Sequence, residues 1–292
     1  MLWHGKQMYR RLSEEVCAAG VSTGAPETPL VTQEDLVGLP VTAQHYLHAM
    51  GAVNRPHVWS FQAHFIGRFR LRGQGSWLPA EGWQYNSSVQ VCRVFQMRAD
   101  FAGVVPMVGR DTYVGGKGSM HSKLLGLFTL VHTQGPKTDM SELVTYLNDA
   151  VLMAPSMLLR PNISFAGVDD HSFDLTLVDL DQSVTALVLL DEEFRPVNFI
   201  TSDRCADVPR GLDGAKWTTP IDGWQLDGDR FTLTRGSAVW QMPDGPSSYL
   251  DFAFSPGDVR YNIAPADIAR RPRETGWGRR RAKEQRGAAT SV

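Results

Sequence analysis

The chain has 292 residues, 42% of them hydrophobic, with 29 basic and 31 acidic side chains and a net charge of −2. That is enough apolar material for a sizeable core, and the balanced charge excludes a global field that would draw the chain onto nucleic acid. Three widely spaced cysteines, Cys17, Cys92 and Cys205, give neither a disulfide framework nor a metal-binding spacing, which points to a reducing compartment.

Residues 1–20 read as a short helix with His4, Lys6, Arg10 and Arg11 scattered through it. It has no apolar run of signal-peptide or membrane-span length, so the expected location is cytoplasmic, with no integral membrane segment. Residues 21–36, rich in Pro, Thr, Gly and Ser, read as a linker. "LPVTAQHYLHAMG", Leu39 to Gly51, predicts a helix with Val41, Tyr46, Leu47 and Met50 on its apolar side and Gly51 as its stop. The period then changes to two. In "WSFQAHFIGRFRLR" Trp59, Phe61, Ala63, Phe65 and Phe69 alternate with Ser60, Gln62, His64, Arg68 and Arg70. "WQYNSSVQVCRVFQMRADF" repeats the alternation, with Trp83, Tyr85, Phe95 and Met97 opposing Gln84, Asn86, Gln96 and Arg98. Such alternation is the mark of long antiparallel strands with one apolar face.

"RDTYVGGKGSMHSKLLGLF" raises the question of a phosphate loop. Lys117 is followed by Gly118 rather than by Ser or Thr, and no helix pattern begins there, so the run predicts a hairpin with glycines in the turn. "TDMSELVTYLNDAVLMAPSMLL" predicts the main interior helix, capped by Thr138 or Asp139, with Leu143, Tyr146, Leu147, Ala150 and Val151 as its stripe and Pro155 limiting its end. "HSFDLTLVDL", "SVTALVLLD", "PVNFITSDR", "GWQLDGDRFTLTRGSAVWQM" and "YLDFAFSPGDVRYNI" return to strands. From Ala264 to Val292 there are eight Lys or Arg, three acids and few apolar residues, which predicts a disordered basic tail.

The expected fold is therefore mainly β (α+β). One large curved antiparallel sheet or half-barrel, of about ten long strands, has one or two helices covering its concave face. Residues 1–37 form an N-terminal extension and linker, 38–263 a single half-barrel domain, and 264–292 the tail.

The order of helix, hairpins, "GRDTYVGGKGSMHSKLLG", a helix with Pro155, "KWTTP", "AVWQMPDGPSSY" and "YN" resembles an uncharacterised bacterial domain family over residues 38–263. The resemblance implies a shared fold and carries no activity. In layout the chain is also similar to lipoprotein-carrier (LolA/LppX-like) half-barrels, whose curved sheet and inner helix hold acyl chains. That similarity implies a hydrophobic small molecule or lipid as partner.

His45 and His48 lie three apart on one helix, and His64 and His121 on different strands. Either pair could supply metal ligands, but both read more simply as exposed polar residues, and there is no HExxH or paired CxxC. Ser119, Ser122 and Ser237 lack the G-x-S-x-G context of a nucleophile elbow, and Cys92 and Cys205 read as structural thiols in strands. No metal and no cofactor are expected. Charged residues in otherwise apolar strands, or on the inner helix, are the candidate ligand-binding set: Arg98, Arg110, Asp111, Glu142 and Arg204, with Tyr146 beside them. Arg110–Asp111 and Asp203–Arg204 are adjacent opposite charges, so one member of each couple faces inward. Arg98 belongs to the set although its strand phase puts it beside Gln96. These charges either pair with one another or hold the polar head of a ligand whose apolar body lies on the sheet. Binding of a hydrophobic molecule without chemistry is the first reading. The alternative is an enzyme, a hydrolase, isomerase or cyclase, using the same cavity. A third is an interaction module whose tail recruits a partner; the tail's charge also suits weak contact with a membrane surface.

Overall fold

The computed structural model describes residues 2–71, 75–101, 105–125, 127–205 and 215–268; nearly all of the basic tail lies outside the described residues. The strands are β1 (Ser60–Phe69), β2 (Leu78–Ser87), β3 (Cys92–Phe101), β4 (Val105–Val114), β5 (Lys117–Leu124), β6 (Phe128–Gln134), β7 (Ile163–Asp169) and β8 (Ser172–Asp179). They continue with β9 (Gln182–Leu190), β10 (Pro196–Thr201), β11 (Lys216–Thr218), β12 (Trp224–Asp227), β13 (Arg230–Leu233), β14 (Arg235–Met242), β15 (Gly245–Ala253) and β16 (Val259–Tyr261). The helices are α1 (Leu2–Ala18), α2 (Val41–Ala49) and α3 (Pro136–Met153).

Fourteen strands make one antiparallel sheet in the order β6-β5-β4-β3-β2-β1-β15-β14-β11-β10-β9-β8-β7, with β16 also against β1. The sheet does not close into a barrel, and β6 and β7 are its edges. The mainly-β half-barrel expected from the alternation is the fold that forms. The strand number is larger than the ten expected, because β11, β12, β13 and β16 are three or four residues long. β7 was also hidden in the sequence, since as an edge it is largely exposed and shows no clean apolar alternation.

α3 leaves edge strand β6 and the chain re-enters at the other edge, β7. It therefore has to cross the open, concave side of the sheet, and fourteen of its eighteen residues are buried there. Its start is one turn earlier than the sequence cap suggests. Pro136 occupies the first turn, where its fixed φ is helical and no N–H is missed, after Gly135 at φ 107°. Asp139 is then free to accept from the Gly118 N–H (2.7 Å) and from Lys117 Nζ (3.2 Å), tying the helix start to β5. In α2, Tyr46, Leu47 and Met50 pack inward as expected, but Val41 is exposed and Ala43 takes the inward place.

The convex face is covered too. Met8, Leu12 and Val16 of α1 pack with Trp83, Tyr85, Val94 and Ile268 in a second apolar cluster. Val31 and Leu36, in the stretch before α2, are buried in the main core. Packed chain thus extends on both sides of residues 38–263. Among the described residues no helix is long and apolar enough to cross a membrane.

The glycines of "VGGKG" have separate duties. Gly115 and Gly116 take φ 58° and 76° in the β4–β5 turn. At Gly118 a Cβ would lie 2.5 Å from the Thr138 carbonyl oxygen and 2.9 Å from Asp139 Cα, so no side chain fits between β5 and the start of α3. Gly118→Ala is expected to destabilise by about 2–4 kcal/mol through this backbone clash. Gly115→Ala, with open space around it, should cost only about 1 kcal/mol for the left-handed conformation. Denaturant unfolding of the two variants checks the ranking; equal losses would mean the helix start can retreat.

Candidate functional site

The register places Asn86 opposite Arg93, Gln84 opposite Phe95 and Phe95 opposite Asp111. Paired residues share a face, so a polar row crosses the concave side of β2, β3 and β4. α3 lays Glu142 and Asp149, two turns apart, over this row. Arg93 Nε donates to Asp149 Oδ2 at 2.7 Å and its Nη1 to Glu142 Oε2 at 3.0 Å. Gln84 Nε2 donates to the same Asp149 oxygen at 2.7 Å, and Asn86 Nδ2 at 3.4 Å. The guanidinium also lies 4.8 Å from the Phe95 ring centroid.

Burial dominates the titration of this cluster. It pushes the Asp149 and Asp111 carboxyls above the usual carboxylate range, against the pull of Arg93. Glu142 is pushed up to about 8, first by burial and then by the nearby Asp111 charge, with Arg93 opposing both. Among the described residues Glu142 Oε1 finds no hydrogen-bond partner.

Beside the cluster, between α3 and the concave face, lies a cavity of about 470 Å³. One wall is apolar: Phe65, Phe95 and Met97, with Trp240, Leu250 and Phe252 from the β14–β15 hairpin. Polar residues also line the cavity: Arg93, Asp111, Asn148, Asp149, Arg204 and Cys205. Three buried atoms on the lining have no hydrogen-bond partner: Ser122 Oγ, Asn148 Oδ1 and Thr219 Oγ1. Arg204 stacks on Trp217, with its guanidinium carbon 4.4 Å from the ring centroid.

Of the candidates read from sequence, Asp111 and Arg204 line the cavity, and Glu142 stands behind its wall on Arg93. Tyr146 is buried on the neighbouring flank of α3 and is not a lining residue. Arg98 and Arg110 are on the convex face. Arg98 bonds Asp100 at 2.9 Å, and Arg110 is paired with Glu15 of α1. Arg93 and Asp149, the centre of the cluster, were missed. The signal was present in "NSS": a turn at residues 88–91 splits the run into β2 and β3 and reverses its phase. Trp83 and Tyr85 therefore face α1, whereas Arg93, Phe95 and Met97 face inward.

The histidines do not converge. His45 lies tilted against Phe194, His48 bonds Gln33, and His121 faces His132 across β5 and β6. His64 lies between Glu81 (2.8 Å) and Asp258 (3.5 Å). Burial disfavours its charge, but the two carboxylates outweigh that and raise it to about 9.

These shifts fix a pH dependence. Between the ordinary glutamate value and about 8 the folded protein holds a proton on Glu142 that the unfolded chain releases, so stability falls as pH rises. His64 acts in the same direction, but only above its ordinary value of 6.5. The interval from about pH 5 to 6.5 thus isolates the carboxyls, and stability should drop there by up to about 2 kcal/mol. Glu142→Gln, which keeps an acceptor for Arg93, should flatten the slope. A slope unchanged in that variant would place the proton elsewhere.

No sequence match to a curated protein was found. Two solved structures align with most of this chain. A Vibrio parahaemolyticus domain assigned to outer membrane lipoprotein sorting is 11% identical, covers 78% of this chain and 94% of its own, and gives a TM-score of 0.41. A DUF1329 family protein from Desulfovibrio piger is 8% identical, covers 78% and 95%, and gives 0.40. Both scores are below 0.5, and neither likeness bears on what this chain binds. The assignment rests on sequence: residues 29–252 match a family of unknown function, and the chain belongs to that family, DUF6544.

Proposed function

We propose that the protein binds a hydrophobic small molecule or lipid, an amphiphile, in the cavity between α3 and the concave face of the sheet. The observation that carries this reading is the mixed lining of that 470 Å³ space. Among its apolar lining residues, Ser122, Asn148 and Thr219 keep buried polar atoms that find no hydrogen-bond partner among the described residues. A core built only for stability satisfies such atoms or replaces them, because each costs about 1–3 kcal/mol unpaired.

The apolar wall is of an adaptable kind. Five of the ten methionines, Met97, Met107, Met120, Met153 and Met242, line the cavity. Unbranched thioether side chains conform to guests of differing shape, which suits flexible acyl or alkyl chains. Arg204, with its guanidinium over the Trp217 ring, is the anchor for the head group, and Asp111 is near enough to feel its charge.

Native mass spectrometry of the purified protein, followed by solvent extraction, should show a co-purifying amphiphile. A fluorescent fatty-acid probe should bind and be displaced by unlabelled fatty acid. Arg204→Ala should weaken probe binding by about 2 kcal/mol or more, the usual loss for a desolvated charge contact. Ala238→Phe should fill the cavity and reduce binding while stability holds. A wild-type protein that neither retains an amphiphile nor takes up the probe would refute the reading. An Arg204→Ala protein that loses stability but binds normally would make that arginine structural.

A further inference from the structure

Large apolar side chains stand exposed at one hairpin tip. Leu125, Leu127 and Phe128, between and at the ends of β5 and β6, are 49%, 77% and 62% exposed. Hairpin turns ordinarily carry Gly, Asn, Asp or Ser, and an apolar cluster held out into water marks a contact surface. Leu125 takes φ 54°, a conformation unfavourable for its type, and its N–H is bonded to the Pro106 carbonyl at 2.8 Å. The backbone of Leu125 is therefore tied to the start of β4.

The register connects this tip to the cavity. Phe128 lies opposite Leu124, and Leu124 opposite Met107, which lines the cavity. Residues paired in this way share a face, so Phe128 continues the cavity's apolar wall out to the rim. Phe69 and Leu71, at the end of β1, and Met242, at the end of β14, are half-buried lining residues at the same end of the sheet.

The chemistry at the same end of the sheet is that of a bilayer boundary. Trp77, next to the start of β2, lies under two guanidinium groups, Arg68 at 4.4 Å and Arg70 at 4.6 Å. Lys123 stands on the outer face of β5, opposite Val108. The acids at this end include Asp100 and Asp251, each bonded to an arginine, and Asp244. Arg70, Lys123 and Lys216 add positive charge to that balance. Exposed aliphatic and aromatic side chains, an indole and cations at one end of the sheet are the groups that suit the acyl layer, the interface and the phosphates.

We propose that this rim docks on a phospholipid bilayer, with Leu125, Leu127 and Phe128 in the acyl layer, so that cargo passes between bilayer and cavity along Phe128. The cargo half of this rests on the amphiphile-binding reading; the docking half is measured separately.

The full-length protein is floated with vesicles of equal parts phosphatidylcholine and phosphatidylglycerol. Wild type should rise with the vesicles, and Leu127→Glu and Phe128→Glu should lower the bound fraction about tenfold or more, as a charge in the acyl layer does. Both side chains are exposed, so melting temperatures should not change; Leu127→Ala, expected to lose less, guards against a folding artefact. Probe uptake in vesicle-free buffer should be intact in Leu127→Glu, while transfer of probe from labelled vesicles slows. Wild type that stays with the unbound fraction, or glutamate variants that float equally well, would overturn the proposal. So would a dimer in light scattering that Leu127→Glu dissociates, since a second copy would then cover the patch. Flotation without any probe uptake would keep the docking and sink the cavity's cargo.

Discussion

One guanidinium sets the distance between α3 and the sheet. Arg93 reaches up from β3 to take Asp149 and Glu142 of the helix, and Gln84 and Asn86 complete the contact around Asp149. Buried ion pairs add little net stability, since desolvation consumes most of the attraction, but breaking one leaves a charge stranded. Their geometric effect is the important one here. They fix the helix by polar arms of defined length, so along Ser141, Thr145 and Asn148 it borders a cavity instead of collapsing onto the strands. The topology makes the pin necessary. A helix joining the two edges of an open sheet must cross its mouth, and without polar tethers the apolar residues on both sides would draw it inward.

The sheet uses both faces, which explains where its charges went. On the convex side α1 buries Trp83, Tyr85 and Val94 and brings Glu15 to Gln96 (2.8 Å) and Arg110. Arg110 and Asp111 are neighbours in sequence with different partners: one clamps the outer helix, the other faces the cavity. The alternation of a strand separates these roles over a single peptide bond.

Much of the architecture was legible in the sequence because alternation survives wherever one face is buried. β1, β8 and β9 show it plainly, and the interior helix showed its stripe from Leu143 to Val151. Phase was harder to read. "WQYNSSVQVCRVF" alternates evenly through a turn, so Trp83 and Phe95 look like one face although they lie on opposite sides of the sheet. An outer helix makes the convex face apolar as well, and composition then no longer says which side is in. Asp111, Glu142 and Arg204 could be found as isolated charges in apolar surroundings. Arg93 could be found only after the turn was placed, because its inward direction depends on that phase alone.

The contrast between the packed part of the concave face and the open part argues that the cavity belongs to the design of the fold. Where α3 meets β9 and its neighbours, Leu147, Val151, Leu175 and Val188 fill the space with branched side chains of defined shape. Around the cavity methionines and aromatic rings outnumber branched aliphatic residues. Gly82 belongs to the same arrangement: a Cβ there would lie 2.3 Å from the Phe65 ring, so its absence lets that ring lie flat along the wall. A packing defect would be lined by ordinary core residues cut short, and the helix would close on it. Here many wall residues are large and pliant, polar side chains stand among them, and the helix is tied to the sheet through Arg93 by its own buried acids. Those three features are independent in sequence, and a space meant to be occupied explains them together.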